Sequence, residues 1–400
     1  MKLRTMLGAV AALAVFTGTS LAQDTTVKIG VLNDQSGIYS DITGQGSVVA
    51  ARMAIEDFLA KNPDFKVELV SADHQNKPDI ASNIARQWYD QEGVDAIFDL
   101  PTSSTALAVA EVTREKNKVV IVSGGGTSDL TGKNCSPNTI HWTYDTWSLA
   151  QGTATAMIQQ GLKTWFFITA DYAFGHALER DTSERVKEAG GEVLGSTRYP
   201  FPGQDFSSYL LQAQSSGAQV IGLANAGGDF INSVKQASEF GIVQGGQNLA
   251  GLLVFISDIH ALGLQAAQGL NLTGAFYWDM NDKTRAFSDR YQKAGGPAKP
   301  TMVHAGVYSS VLHYLEAIKA AGSKDAKAVM AKLKEGPLQD ELFGTITVRP
   351  DGRAIHDMYL FQVKKPDESS GAWDYYKLIA TIPADKAFRP LDEGGCNLGQ

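Results

Sequence analysis

Short apolar runs alternate along most of this chain with longer segments whose apolar positions recur at helical spacing. Val27 to Leu32 is the first run and ends in the loop composition Asn33-Asp34-Gln35-Ser36-Gly37. Gly46 to Ala60 then puts Val48, Ile55 and Leu59 on one helical face. A strand at 66–71, a helix at 80–91, a strand at 96–100 and a strand at 119–123 follow, the last ending in Gly124-Gly125-Gly126. The pattern then restarts. It predicts strands at 164–169, 192–196, 219–224 and 252–257, with helices at 176–189, 207–214 and 230–240 between them. Alternation without hairpin signals predicts α/β architecture, a parallel sheet covered by helices, repeated in two halves.

Past Thr273 the pattern changes. Helices are expected at 283–293, 303–321 and 325–333. Thr345 to Val348 and Met358 to Val363 flank the turn signal Pro350-Asp351-Gly352, which predicts a pair of antiparallel strands. A further strand is expected at 373–382, and residues 384–400 show no period.

Residues 94–113, VDAIFDLPTSSTALAVAEVT, are the candidate for the ligand site. Pro101 stops the strand, and Thr102, Ser103, Ser104 and Thr105 open a helix whose free N–H groups such hydroxyls cap. The same N–H groups at the positive end of a helix can hold an anion. In open α/β sheets ligands bind outside the C-terminal ends of strands, so two facing halves would share one cleft.

Lys2 and Arg4, the apolar run Met6 to Phe16 and Ser20-Leu21-Ala22 read as a signal peptide over residues 1–22, too short to span a membrane. Its removal takes the formal charge from −8 to −10, and the remainder has no basic block, so a nucleic-acid partner is not expected. In an exported chain the two cysteines, Cys135 and Cys396, read most simply as a disulfide, with two free thiols as the alternative. The histidines lack metal spacing, Gly44-Gln45-Gly46 lacks the third glycine of a dinucleotide fingerprint, and the triple glycine lacks the Lys-Ser/Thr of a phosphate loop. There is no Gly-x-Ser-x-Gly elbow. No enzyme activity and no cofactor are expected.

VKIGVLNDQSG, DAIFDLPTSST, VIVSGGGTSDLT, Asp171 to Gly175 before a helix and VKQASEFG at 234–241 stand in an order and spacing that resembles a known family. It is that of the periplasmic solute-binding proteins of ABC transporters, in the type I group related to the leucine/isoleucine/valine-binding protein. The resemblance implies two doubly wound, Rossmann-like lobes joined by three crossovers and closing over ligand. Lobe 1 would be 27–145 and 276–340, lobe 2 148–273 and 343–383, with 384–400 as a C-terminal tail. The crossovers would fall near 144–147, 273–278 and 342–344. The family's carboxylate grip maps onto Thr102, Ser103, Ser104, Gly124, Gly125 and Gly126, and an aromatic of the second lobe onto Phe174. Tyr39, Trp147 and Tyr172, in loops at strand ends or crossovers, and Asn225 are expected beside them. Amino-acid binders of this family hold the ligand's ammonium with an acidic residue, and the matching position here is expected to be the neutral Gln268, with Asp229 or Asp258 as alternatives. A small carboxylate without an amino group, aromatic acids included, is therefore the expected ligand, with branched-chain or other amino acids as the alternative. A soluble periplasmic monomer delivering to an inner-membrane ABC permease is implied; a ligand sensor would need the same cleft.

Overall fold

The computed structural model describes residues 26–398; the expected signal peptide lies outside them. The first half is β1 (Thr26–Asn33), α1 (Gly44–Lys61), β2 (Lys66–Asp73), α2 (Pro78–Asp90), β3 (Ala96–Asp99), α3 (Ser103–Lys116), β4 (Val119–Val122) and β5 (Thr139–His141). The five strands form one parallel sheet in the order β2-β1-β3-β4-β5. β3 and β4 are buried along their whole length, which is why they read as unbroken apolar runs.

The second half holds α4 (Thr146–Gln159), β6 (Thr164–Ala170), α5 (Ala173–Glu188), β7 (Glu192–Tyr199), α6 (Ser207–Ser215), β8 (Val220–Ala224), α7 (Gly228–Glu239), β9 (Asn248–Gly251), α8 (Ile256–Leu262), α9 (Leu264–Ala267) and β10 (Asn271–Gly274). Its parallel sheet runs β7-β6-β8-β9. Both sheets therefore reverse their strand order at one place, between β1 and β3 and between β6 and β8. Such a reversal opens a crevice at the strand ends. In this molecule the two crevices face each other.

α10 (Asp282–Lys293), α11 (Met302–Ala321) and α12 (Ala326–Lys334) return to the first half, with α11 packed along α1. β11 (Leu338–Asp340), β12 (Gly344–Val348) and β13 (Ala354–Ile355) form a small antiparallel sheet. β14 (Met358–Val363) and β15 (Tyr376–Ile382) pair antiparallel with β10 in the second half, and α13 (Ala384–Ala387) opens the tail.

Several expectations are corrected. The turn at Pro350-Asp351-Gly352 does join antiparallel strands, but β12 pairs with the two-residue β13 and not with β14. The His141 N–H donates to the Gly352 carbonyl at 2.9 Å, and Arg353 bridges His141 alongside β5. Residues 344–355 thus belong with the first lobe, and the third crossover lies between Ile355 and Met358, not at 342–344. The strand expected at 252–257 is one residue run too late: β9 ends at Gly251, and Leu252 to Phe255 form a buried loop. Burial in the interlobe cleft makes that loop apolar, and a strand core produces the same composition. The helix α4, hidden by its many small residues, and α8 have no counterpart in the expected elements.

Candidate functional site

The loops at the two reversals are shaped by buried carboxylates. After β1, Asp34 accepts from the N–H groups of Gly37 and Tyr39, both at 2.8 Å, and from the Asn76 amide at 2.6 Å. The Thr102 hydroxyl donates to the Asn76 carbonyl oxygen. Thr102 stands at the N-cap position of α3 yet makes no cap bond. Its hydroxyl is spent on holding the Tyr39 loop. Ser103 accepts from the Thr127 N–H at 3.0 Å and anchors the triple-glycine loop, while Ser104 is half-buried on the first turn of α3. Asp99 and Leu100 adopt left-handed backbone (φ 86° and 56°), a costly conformation that turns the chain so that Pro101 faces the cleft.

Gly124 and Gly126 are required by close approach. A Cβ on Gly124 would lie 2.7 Å from the Pro101 Cα, and one on Gly126 2.9 Å from the Phe174 ring. The Tyr144 hydroxyl donates to the Gly124 carbonyl at 2.5 Å. From the second lobe Tyr172 stacks on Phe201 with ring centroids 4.2 Å apart, and Tyr39 stacks on the same ring at 5.7 Å. Across the cleft the hydroxyls of Tyr39 and Tyr172 meet at 2.6 Å. The lobes are closed.

Between them lies a narrow cavity, about 10 Å³ in this closed form, lined by Tyr39, Ile42, Pro101, Gly124, Tyr144, Tyr172, Phe174, Ala226, Leu253 and Phe255. None of these residues carries a charge. Four helices of ordinary length begin within two residues of the lining: α1 after Ile42, α3 after Pro101, α5 after Tyr172, and α7 after Ala226. None of the four has a side-chain cap. Their free N–H groups and dipoles direct positive potential at the cavity without any basic side chain. Burial pushes the pKa of Tyr39, Tyr144 and Tyr172 up, so all three stay protonated at neutral pH.

Of the residues expected at the ligand site, Tyr39, Gly124, Tyr172 and Phe174 line this cavity. The other expected residues do not line the cavity. Thr102 and Ser103 act one step behind it, as described. Trp147 carries the Arg185 guanidinium over its ring at 5.2 Å. Asn225 is buried and donates to Ser233 at 3.0 Å. Gln268 is exposed at the end of α9, donating to the Gln265 carbonyl at 3.1 Å. It is not among the residues that line the cavity. Asp229, bonded to the Tyr199 hydroxyl (2.8 Å) and the Gly203 N–H (3.0 Å), and Asp258, bonded to the Phe255 N–H (2.8 Å), are also outside the lining. The residues missed are Ile42, Pro101, Tyr144, Ala226, Leu253 and Phe255. Placing the end of β9 at Gly251 would have exposed the last two as a strand-end loop.

Among the described residues no group of His, Cys, Asp and Glu is placed to hold a metal ion. Ser309 donates to Asp340 at 2.6 Å, and His313 lies 3.0 Å from the same carboxylate oxygen. Cys135 and Cys396 form a disulfide, Cα atoms 5.5 Å apart, which ties the tail to the loop after β4. Among the described residues no helix is long and apolar enough to cross a membrane.

Two doubly wound lobes closing on a cavity at their strand ends define a ligand-capturing protein of the type I binding fold. Residues 26–371 match the family described as periplasmic binding protein. The chain belongs to that family, a binding class and not an enzyme class. A crystal structure of a periplasmic binding protein from Burkholderia mallei is 50% identical, with a TM-score of 0.91, over 94% of this chain and 100% of that one. A branched chain amino acid ABC transporter periplasmic ligand-binding protein from Burkholderia xenovorans is 42% identical, TM-score 0.83, over 92% and 99%. A Leu/Ile/Val-binding protein homolog of Brucella melitensis is 27% identical over 90% of this chain and 94% of its own.

Proposed function

We propose that this protein is the solute-capturing component of an ABC importer, working as a monomer and delivering a small carboxylate with an apolar, aromatic body to an inner-membrane permease. One observation carries the reading: uncapped helix N-termini from both lobes converge on a cavity whose side chains are apolar or phenolic and uncharged. Helix ends favour the carboxylate and the rings of Tyr172, Phe174 and Phe255 favour a flat apolar body. Thr102, Ser103 and Ser104 support the grip through the position of their backbone, and Gly124 to Gly126 through close approach. The competing reading, a branched-chain amino acid, follows the description of the Burkholderia xenovorans relative. It requires an ammonium group to be buried where no carboxylate lines the cavity, a costly desolvation. Thermal unfolding against a panel of benzoate-type acids, aliphatic acids and amino acids tests the choice. A benzoate-type acid is expected to raise the unfolding midpoint by mass action, and leucine is not. Stabilisation by leucine or valine alone would replace this reading with the amino-acid one.

A further inference from the structure

The cross-lobe contact between Tyr39 and Tyr172 has one proton more than it uses. Two phenol groups share one hydrogen bond at 2.6 Å, so one hydroxyl donates and the other is left with its own proton. Among the described residues no acceptor is recorded for that second proton. Both rings line the cavity, and Tyr39 is buried. The third phenol of the lining, Tyr144, is already committed to the Gly124 carbonyl. The remaining lining side chains, from Ile42, Pro101, Ala226, Leu253 and the two phenylalanines, have no polar atom, and Gly124 has no side chain. Among the lining side chains the hydroxyl pair is thus the one donor not already committed, and it is assembled from both lobes.

We propose that the Tyr39–Tyr172 pair determines specificity by donating its spare proton to a ligand oxygen, and that this bond forms only when the lobes have closed. The proposal rests on the carboxylate reading above and names the side chains that enforce it. An acceptor oxygen beside the pair completes its hydrogen bonding. An ammonium group there meets a donor and the positive ends of helices, and Asp229, the carboxylate whose charge acts on both phenols, is already bonded to the Tyr199 hydroxyl and the Gly203 N–H. Neither lobe alone presents the pair, because Tyr39 follows β1 and Tyr172 follows β6. Asp34, through the Tyr39 N–H, and the stacking of both rings on Phe201 hold the phenols in register.

Calorimetric titration of benzoate and of the neutral benzyl alcohol into wild type, Tyr172→Phe and Tyr39→Phe/Tyr172→Phe tests this. The double variant removes the donor and is expected to lose about 10- to 100-fold in benzoate affinity, the range for a hydrogen bond to a charged group. The single variant keeps one phenol and loses only the bridge, so a smaller loss of severalfold is expected. Benzyl alcohol affinity is expected to change less than that of benzoate in both. Thermal unfolding of the ligand-free variants within a few degrees of wild type checks that the fold is kept. A double variant that holds benzoate within twofold of wild type would overturn the role of the pair and leave the carboxylate reading standing. A wild type that binds no carboxylate overturns both. If the double variant does not fold, Tyr172→Phe decides alone, and an unchanged benzoate affinity there sinks the proposal.

Discussion

The lobes meet at two places of opposite chemistry. At the cavity the contact is apolar and aromatic, with one hydroxyl pair across it. Beside it, the loop after β4 meets α5 through charge: Asp181 accepts from Ser128 at 2.7 Å, from Thr146 at 2.5 Å and from Arg180 at 2.9 Å. Arg180 also reaches Asp129 at 3.1 Å, and Arg389 of the tail donates to the Ser128 carbonyl at 3.1 Å. This second contact is complete without ligand. It favours closure by the same amount whatever occupies the cavity, whereas the cavity distinguishes one ligand from another. A ligand shifts the open–closed equilibrium only by its differential affinity for the two states, so the polar contact is expected to act on all ligands alike and the apolar one to distinguish them.

Leu253→Glu would invert the cavity. A buried carboxylate is expected to abolish benzoate binding, a loss above about 100-fold, and to admit an amino acid through its ammonium group. Titration with benzoate and leucine reads both effects, and retained benzoate binding would show that Leu253 does not meet the ligand. Asp181→Ala is expected to cost about 10-fold, just below the ~1.5–3 kcal/mol range for hydrogen bonds to charged groups because Arg180 is partly solvated. The loss should be the same factor for every ligand that binds. A loss that differs between ligands would merge the two contacts into one.

A third test separates the two buried carboxylates. Asp181 has an arginine and two hydroxyls; Asp99, behind Gly124, has the Asn33 amide at 2.9 Å. Burial pushes the Asp99 carboxyl up to about 7. A group that binds its proton more tightly when folded contributes stability below its unfolded value that is lost as pH rises through the folded one. Asp99→Asn is therefore expected to gain stability relative to wild type as pH rises from about 4 to 7 and to level off above. Unfolding midpoints of both proteins across that range check it, and a difference independent of pH would place the Asp99 proton elsewhere.

Much of the fold was legible because burial writes itself into composition. β3 and β4 are covered on both faces and read as continuous apolar runs; α2 and α7 show a clear apolar face. The same signal misled at Leu252 to Phe255, where burial comes from the opposite lobe. In the site, Tyr39, Tyr172 and Phe174 were legible as aromatics in strand-end loops, where a packing role is less natural. Gln268 was not, since the match to the family's acidic position placed it at the ligand, and the end of α9 leaves it exposed. Thr102 illustrates the mixed case: its loop borders the cavity, but its hydroxyl is bonded to Asn76 and the residue is not in the lining.

By itself the sequence determined the alternation of strands and helices, the restart at the second half, the pairing of the two cysteines as the simplest option and the stretch around Pro101 as part of the site. Those follow from local periodicity and from chemistry that neighbours along the chain already express. Only the tertiary structure decided which hydroxyls face the cavity, that four helix starts converge on it, that 344–355 stay with the first lobe, and that Tyr39 meets Tyr172. Each of these depends on contacts between residues far apart in the chain, and one sequence records the residues at such a contact without recording that they touch.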